Sequence, residues 1–143
     1  MEEELPDEIH DRVTDLSEQG NDMLDAGNAD GAIAVWRSAL TLLPEPRQKW
    51  DATMWLYASI GDAQQQKGET EEALSSFHQA AARADGYANG FVQLGIGTCL
   101  YDLGRLEEST DPLLRAYMAE GEEIVEDSEP KYLDYLRKRK LLD

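Results

Sequence analysis

Few side chains in this sequence could do covalent or metal chemistry, and they are far apart. The two histidines, His10 and His78, have no metal-ligand neighbour at a usable spacing. The single cysteine, Cys99, rules out an intrachain disulfide and suits a reducing compartment. We expect Cys99 to be a small core residue and His78 to lie at the surface or its boundary.

The acidic residues do not form a catalytic pair either. Glu71-Glu72, Glu107-Glu108 and Glu122-Glu123 are adjacent in sequence, so each pair points to different faces of a helix. Carboxylates of this kind suit helix starts, where the helix dipole stabilises negative charge. The sequence also lacks a phosphate-binding loop, a nucleophile elbow and a zinc-protease motif. We therefore predict no enzymatic activity, no metal and no cofactor.

Charge is the strongest bulk property of the chain. With 30 acidic and 13 basic residues, the formal net charge is −17. The resulting negative surface potential repels nucleic acid and anionic membrane and attracts basic proteins. The alternative is that the charge serves solubility alone. No apolar run approaches the ~18 residues of a membrane span, and the first residues, MEEELPDEIHD, are unlike a signal peptide. A cytoplasmic protein with a protein partner is expected.

The elements that must position any binding residues come from an internal repeat. A glycine is followed by a second glycine after 7 residues, and by small, large and small residues after 12, 16 and 19. This spacing occurs three times along the chain: Gly20, Gly27, Ala32, Trp36, Ala39; Gly61, Gly68, Ala73, Phe77, Ala80; Gly97, Gly104, Ser109, Leu113, Ala116.

A helical hairpin explains this spacing. The first glycine lets two helices approach closely, because no side chain stands between them. The second glycine ends the first helix, since a residue without Cβ adopts the left-handed conformation at low cost. The small, large and small residues lie on one face of the second helix, where the large one fills the space left by its neighbours.

On these residues the chain resembles the tetratricopeptide repeat (TPR) family, whose unit is a helix–turn–helix of ~34 residues. The departures are Ser109 for the usual alanine, Leu113 for the usual aromatic, and a closing proline, Pro44, in the first repeat only. The resemblance implies an all-α, TPR-type helical-hairpin solenoid in one domain, 1–143, with three repeats and a C-terminal capping helix. The expected repeats are about 13–46, 54–87 and 90–121, followed by an acidic connector, 122–129, and the capping helix, 130–141.

Local signals give the expected helix ends. Trp50 and Tyr57 should pack against the first repeat, and the glycines at 90, 95 and 97 indicate close packing or close approach of a partner. We expect a first helix from Asp7 or Glu8 to Ala26, a second from a cap at Asp30 to Leu43, a third from about Arg47 to Lys67, and a fourth after Glu69-Thr70 to about Ala84. A fifth helix is expected over about Tyr87–Leu103 and a sixth over Leu106–Glu120. The last should begin at Pro130, with Ser128 or Glu129 as cap.

The inner helices of TPR proteins line a concave groove that binds peptides or partner segments, which the resemblance extends to this chain. The best-known peptide site of the family clamps a terminal carboxylate with Lys, Arg and Asn. Only Asn21 matches here, which argues against a co-chaperone for chaperone tails. The implied partner-binding residues are Asn21, Leu24, Asp25, Trp55, Asp62, Gln65, Gln66, Phe91, Leu94, Thr98, Tyr101 and Asp102.

This set pairs aromatic residues with three aspartates, which suits a basic segment that carries apolar anchors. Asp25, Asp62 and Asp102 are expected to align along one wall of the groove and to be exposed. The alternative for Trp55 and Phe91 is burial in the packing between repeats.

The expected function depends on the kind of protein that the groove binds. The sequence YLDYL after an acidic connector is similar to small bacterial repeat proteins that neutralise toxins. This similarity implies an immunity protein that binds a basic toxin domain. The alternatives are a three-repeat secretion chaperone, which would hold an extended basic segment of an exported protein, and an adaptor in a larger assembly. The basic tail at 137–140 suits the C-terminal end of the last helix.

Overall fold

The computed structural model describes residues 5–82, 88–121, 123 and 129–141. Within these ranges the chain forms helices and no strand, and no helix combines the length and apolar composition that crossing a membrane requires. The helices are α1 (Asp7–Asp25), α2 (Ala29–Leu42), α3 (Asp51–Gln66), α4 (Thr70–Ala81), α5 (Gly90–Asp102), α6 (Leu106–Glu120) and α7 (Pro130–Lys138), with a short 3-10 turn at Arg47–Lys49.

The first six helices pack as three hairpins: α1 with α2, α3 with α4, and α5 with α6. The hairpins stack in chain order, because α2 also packs on α3 and α4 on α5, while α7 packs on α6. Helices α1, α3 and α5 form an inner layer, in which α3 contacts both of the others. This arrangement confirms the predicted all-α helical-hairpin solenoid.

The repeat spacing has a direct structural meaning. In each hairpin the large residue lies over the first glycine: Trp36 over Gly20, Phe77 over Gly61 and Leu113 over Gly97. A Cβ atom on Gly61 would lie 3.0 Å from the Phe77 ring, and one on Gly97 would lie 2.7 Å from Leu113. The two helices of each hairpin can therefore approach only because these positions carry no side chain. Gly95 likewise packs against Phe77, so its role is close packing.

Gly68, which ends α3, has a φ of +82°, as the spacing predicted. We expect Gly68→Val to lower the free energy of unfolding by about 1–2 kcal/mol, because a β-branched residue is strained in the left-handed region. Open space surrounds the position, so the cost comes from the backbone and not from a clash. Urea unfolding of both proteins measures the difference, and equal midpoints would contradict this account.

Several helix ends differ from the expected ones. Asn28, rather than Asp30, caps α2, since its side-chain oxygen accepts a hydrogen bond from the Gly31 amide at 2.9 Å. The carboxylate of Asp30 instead pairs with Lys67 of the next hairpin. The helix expected from Arg47 is divided, because Trp50 has an extended backbone (ψ 136°) between the 3-10 turn and α3.

The later ends differ as well. Helix α4 ends at Ala81, and α5 begins at Gly90 after Asn89, whose side chain accepts hydrogen bonds from the Phe91 and Val92 amides. Glu129 precedes α7 as expected, but its side chain makes no capping hydrogen bond. Ala84, Tyr87, Ser128 and most of the acidic connector lie outside the described residues.

The buried apolar residues form clusters that are arranged in the order of the hairpins. Trp50 is buried in the cluster around α1, α2 and α3, and Tyr57 packs on that cluster, which confirms their predicted contact with the first repeat. Cys99 is fully buried in the second cluster, as expected. Burial raises the pKa of the Cys99 thiol to about 12, so it stays protonated at neutral pH. A third cluster joins α6 to Tyr132, Leu133 and Leu136 of α7.

Candidate functional site

A cavity of about 680 Å³ lies between the inner helices α3 and α5 and the start of α7. Seven of the residues that the resemblance implied line it: Asp62, Gln65, Gln66, Phe91, Leu94, Thr98 and Asp102. Ala58, Phe77 and Gly95 complete the part between the hairpins, and Glu129 and Tyr132 of α7 close one end. The cavity therefore combines the second and third hairpins with the C-terminal helix.

Asp62 supplies a carboxylate to the α3 wall. Its Oδ2 accepts a hydrogen bond from Gln66 Nε2 at 3.1 Å, one helical turn later on the same helix. Although Asp62 is exposed, the cavity wall desolvates its carboxylate in part and raises the pKa of Asp62, and the Gln66 hydrogen bond opposes this rise only in part. The partner of this carboxylate is thus an amide and not a cation, which leaves its negative charge available to a ligand.

The part of the opposite wall that the start of α5 forms is apolar. Phe91 is 56% exposed at the start of α5, with Leu94 half-buried one turn later. Trp55 occupies the equivalent place in the second repeat, six residues before the first glycine, and is 49% exposed. The alternative that packing between repeats buries Trp55 and Phe91 is therefore wrong. Large aromatic rings in such positions are typical anchors for a partner.

One hydrogen bond between helices lies in the lining of the cavity. Gln65 Nε2 donates to Thr98 Oγ1 at 2.8 Å and so joins α3 to α5. Thr98 is only 4% exposed and donates its own proton to the Gly95 carbonyl oxygen. These two residues line the cavity, but their polar groups already bind each other.

Asp102 is exposed, as we expected, but its carboxylate already has partners within the chain. Both of its carboxylate oxygens lie 2.9 Å from the Tyr132 hydroxyl, which donates to them, and Lys131 Nζ lies 3.0 Å from Oδ1. Burial, and then the Asp102 carboxylate, raise the pKa of Tyr132, so the hydroxyl remains a donor at neutral pH. Asp102 therefore holds α7 against α5 in addition to lining the cavity.

The remaining predicted residues lie outside the cavity lining. They are Asn21, Leu24 and Asp25 of α1, Trp55 of α3 and Tyr101 of α5. Leu24 packs on the first core cluster, whereas Asn21 and Asp25 are exposed. Tyr101 makes edge-to-face contacts with Tyr132 and Tyr135, with ring centroids 5.3 and 5.5 Å apart. It therefore packs beneath α7.

The expected register of the aspartates also needs correction. Asp25 and Asp102 each follow the first glycine of their repeat by five residues, where the second repeat has Gln66. Asp62 follows Gly61 directly and so lies one helical turn earlier. The cavity contains Asp62 and Asp102 but not Asp25, so the acidic groups form a cluster at one end of the solenoid rather than a wall along it.

Residue-by-residue reasoning missed Glu129 and Tyr132 as lining residues. Their contribution comes from α7, which lies outside the repeats, so the family's groove positions contain no equivalent. Two signals in the sequence pointed to them: Tyr132 belongs to the YLDYL segment of the capping helix, and Glu129 ends the acidic connector. Because α7 docks beside α5, these features meet at the cavity.

Comparisons with known proteins agree with this fold. The sequence matches no family model and no curated protein. Among solved structures it is similar to the first TPR domain of Spaghetti (RPAP3) bound to the HSP90 peptide SRMEEVD, with a TM-score of 0.70 and 19% sequence identity. The similarity covers 90% of this chain and 92% of that chain. The chain thus has a TPR-like fold.

Proposed function

We propose that this chain is a protein-interaction module that binds a basic segment of a partner protein in the cavity between α3, α5 and α7. The observation that carries the proposal is the cavity's composition. Asp62, Asp102 and Glu129 line it, no lysine or arginine among the described residues does, and Phe91 offers an exposed apolar surface. A lysine or arginine side chain fits such a site, because its carbon stem packs on an aromatic ring while its charge meets a carboxylate.

The ligand of the structural neighbour has the opposite charge from the partner proposed here. The HSP90 peptide SRMEEVD bound to that domain is rich in acidic residues. A carboxylate-lined cavity would repel such a peptide, and like charges brought together at an interface cost several kcal/mol. The same fold here is proposed to select a basic segment. The net charge of −17 extends this preference over the whole surface and disfavours nucleic acid and anionic membranes.

Within this class, we propose that the partner is a basic bacterial toxin domain which this cytoplasmic protein neutralises. The support is the acidic surface together with the similarity of the C-terminal sequence to small immunity proteins. A secretion chaperone for an extended basic segment is the second candidate, because a cavity of about 680 Å³ accepts a few side chains rather than a folded domain. Binding to a folded toxin domain, with protection of cells that express it, favours immunity, whereas binding only to unfolded chain favours the chaperone.

The proposed function predicts salt-dependent binding of basic peptides. Peptides that combine lysine or arginine with a leucine or phenylalanine should bind, and the same peptides with glutamate in place of the basic residues should not. Association should slow as ionic strength rises, because exposed charges are screened beyond about 8–10 Å near physiological salt. Stopped-flow rates over a salt series measure this effect. Equal affinity for both peptide sets, or a flat salt series, would contradict the proposal.

A further inference from the structure

Lys131 is placed unusually for a lysine of a terminal helix. Its Nζ lies 3.0 Å from Asp102 Oδ1 and 3.4 Å from Glu129 Oε2. The same nitrogen lies 5.2 Å from the centroid of the Tyr132 ring and 5.7 Å from that of Tyr101. Two carboxylates and two aromatic rings thus surround one ammonium group.

Three of these four groups also line the cavity. Asp102, Glu129 and Tyr132 line it, so the ammonium group of Lys131 lies at its edge. Carboxylates bind a cation through charge, and tyrosine rings attract it through their electron-rich faces within about 6 Å. The hydrogen bond with Asp102 raises the pKa of Lys131, so the lysine remains charged at neutral pH. This end of the cavity demonstrably accommodates a lysine-type cation.

We propose that Lys131 occupies the cation subsite of the binding cavity and that a lysine or arginine of the partner replaces it. The proposal rests on the proposed function and names the group recognised there. Binding would exchange one cation for another at Asp102 and Glu129, while the partner's neighbouring apolar residue would pack on Phe91. Lys131 is then an internal competitor, which weakens binding to segments that lack a cation able to displace it.

Displacement of Lys131 does not require α7 to detach. The Tyr132 hydroxyl still donates to Asp102, and the Tyr135 hydroxyl donates to the Leu106 carbonyl oxygen at 2.9 Å. Arg139 pairs with Glu107 at 2.6 Å, and Leu133 and Leu136 remain buried against α6. The lysine side chain is 42% exposed, so it can swing into solvent at small cost.

The test compares Lys131→Met with Lys138→Met in binding a basic peptide that carries lysine beside phenylalanine. Both changes make the net charge more negative by one, and Lys138 is an exposed lysine of the same helix, so the pair separates the subsite from the general field. Lys131→Met should bind the peptide about two- to fivefold more tightly, the range of a partly exposed ion pair. Lys138→Met should bind as the wild type does.

If the wild type binds the basic peptide and Lys131→Met binds no more tightly than Lys138→Met, this inference is wrong while the proposed function stands. If no basic peptide binds, the proposed function fails, and a small probe decides the inference by itself. Nα-acetyl-lysine methylamide, titrated into Lys131→Met, should shift the NMR signals of the Tyr101 and Tyr132 rings, and much less so in the wild type. Unshifted rings in the variant would overturn the subsite. Thermal melting checks that Lys131→Met retains the docked α7.

Discussion

Replacing Phe77 with alanine is expected to lower the free energy of unfolding by about 3–5 kcal/mol. Phe77 is 5% exposed and lies over Gly61 of its own hairpin and against Gly95 of the next one. Its ring therefore fills space within the second hairpin and between the second and third. Gly61 and Gly95 have no side chains that could move into the space left by the ring, so the surrounding structure can relax very little. For a domain of this size, about 5–15 kcal/mol of total stability makes such a loss severe.

Urea unfolding followed by circular dichroism measures this change, with Met118→Ala as the control. Met118 lies on α6 and is 80% exposed, so its truncation should change stability by no more than about 0.5 kcal/mol. A Phe77→Ala loss below about 1 kcal/mol would show that the hairpins do not depend on this contact. In a solenoid each repeat contacts only its neighbours, so a broader unfolding transition is also expected as the interface between hairpins weakens.

The repeat spacing predicted the hairpins because the relevant contacts are local. A glycine and the large residue sixteen positions later belong to one hairpin, and their packing is the same in all three repeats. Left-handed glycines at 27, 68 and 104 likewise follow from the need to end each inner helix. Such features repeat along the chain, so the same residue spacing appears three times in the sequence. That redundancy explains why helix order and pairing were predictable.

The binding cavity was less predictable, because it depends on a helix that does not repeat. Tyr132, thirty residues after Asp102, reaches that carboxylate only once α7 has docked on the third hairpin. No spacing rule relates these positions, and the family's groove positions end with α5. Two neighbouring residues could also play the same part: both Asn28 and Asp30 could cap α2. Asn28 is the cap because its side-chain oxygen accepts the hydrogen bond from the Gly31 amide.

The same contacts decide which variants can test the binding site. Asp102→Lys would remove the acceptor for Tyr132 and so loosen α7. Glu107 is equally unsuitable as a neutral control, since it pairs with Arg139 of the tail. Asp62 and Glu71 avoid both problems. The hydrogen bond of Asp62 comes from Gln66 of its own helix, and Glu71 is exposed at the start of the outer helix α4.

Asp62→Lys is expected to weaken binding of a basic partner by at least about 2 kcal/mol, roughly 30-fold in Kd. The change removes an attractive carboxylate from the cavity wall and places a like charge against the partner's cation. Stability should change little, because the longer lysine side chain can reach solvent from this exposed position. Isothermal titration with the basic peptide, or with the toxin domain once identified, measures the loss.

Glu71→Lys provides the matched control, because it reverses the same charge on the same hairpin and alters the net charge equally. Its affinity should stay within about twofold of the wild type, since an exposed charge remote from the contact acts only through a screened field. Asp62→Asn should fall between the two, as it removes the attraction without adding repulsion. If Glu71→Lys weakens binding as much as Asp62→Lys does, the general negative field and not the cavity carries recognition. If neither variant weakens binding, the partner does not contact the α3 wall beside Asp62, and the proposed role of that wall is wrong.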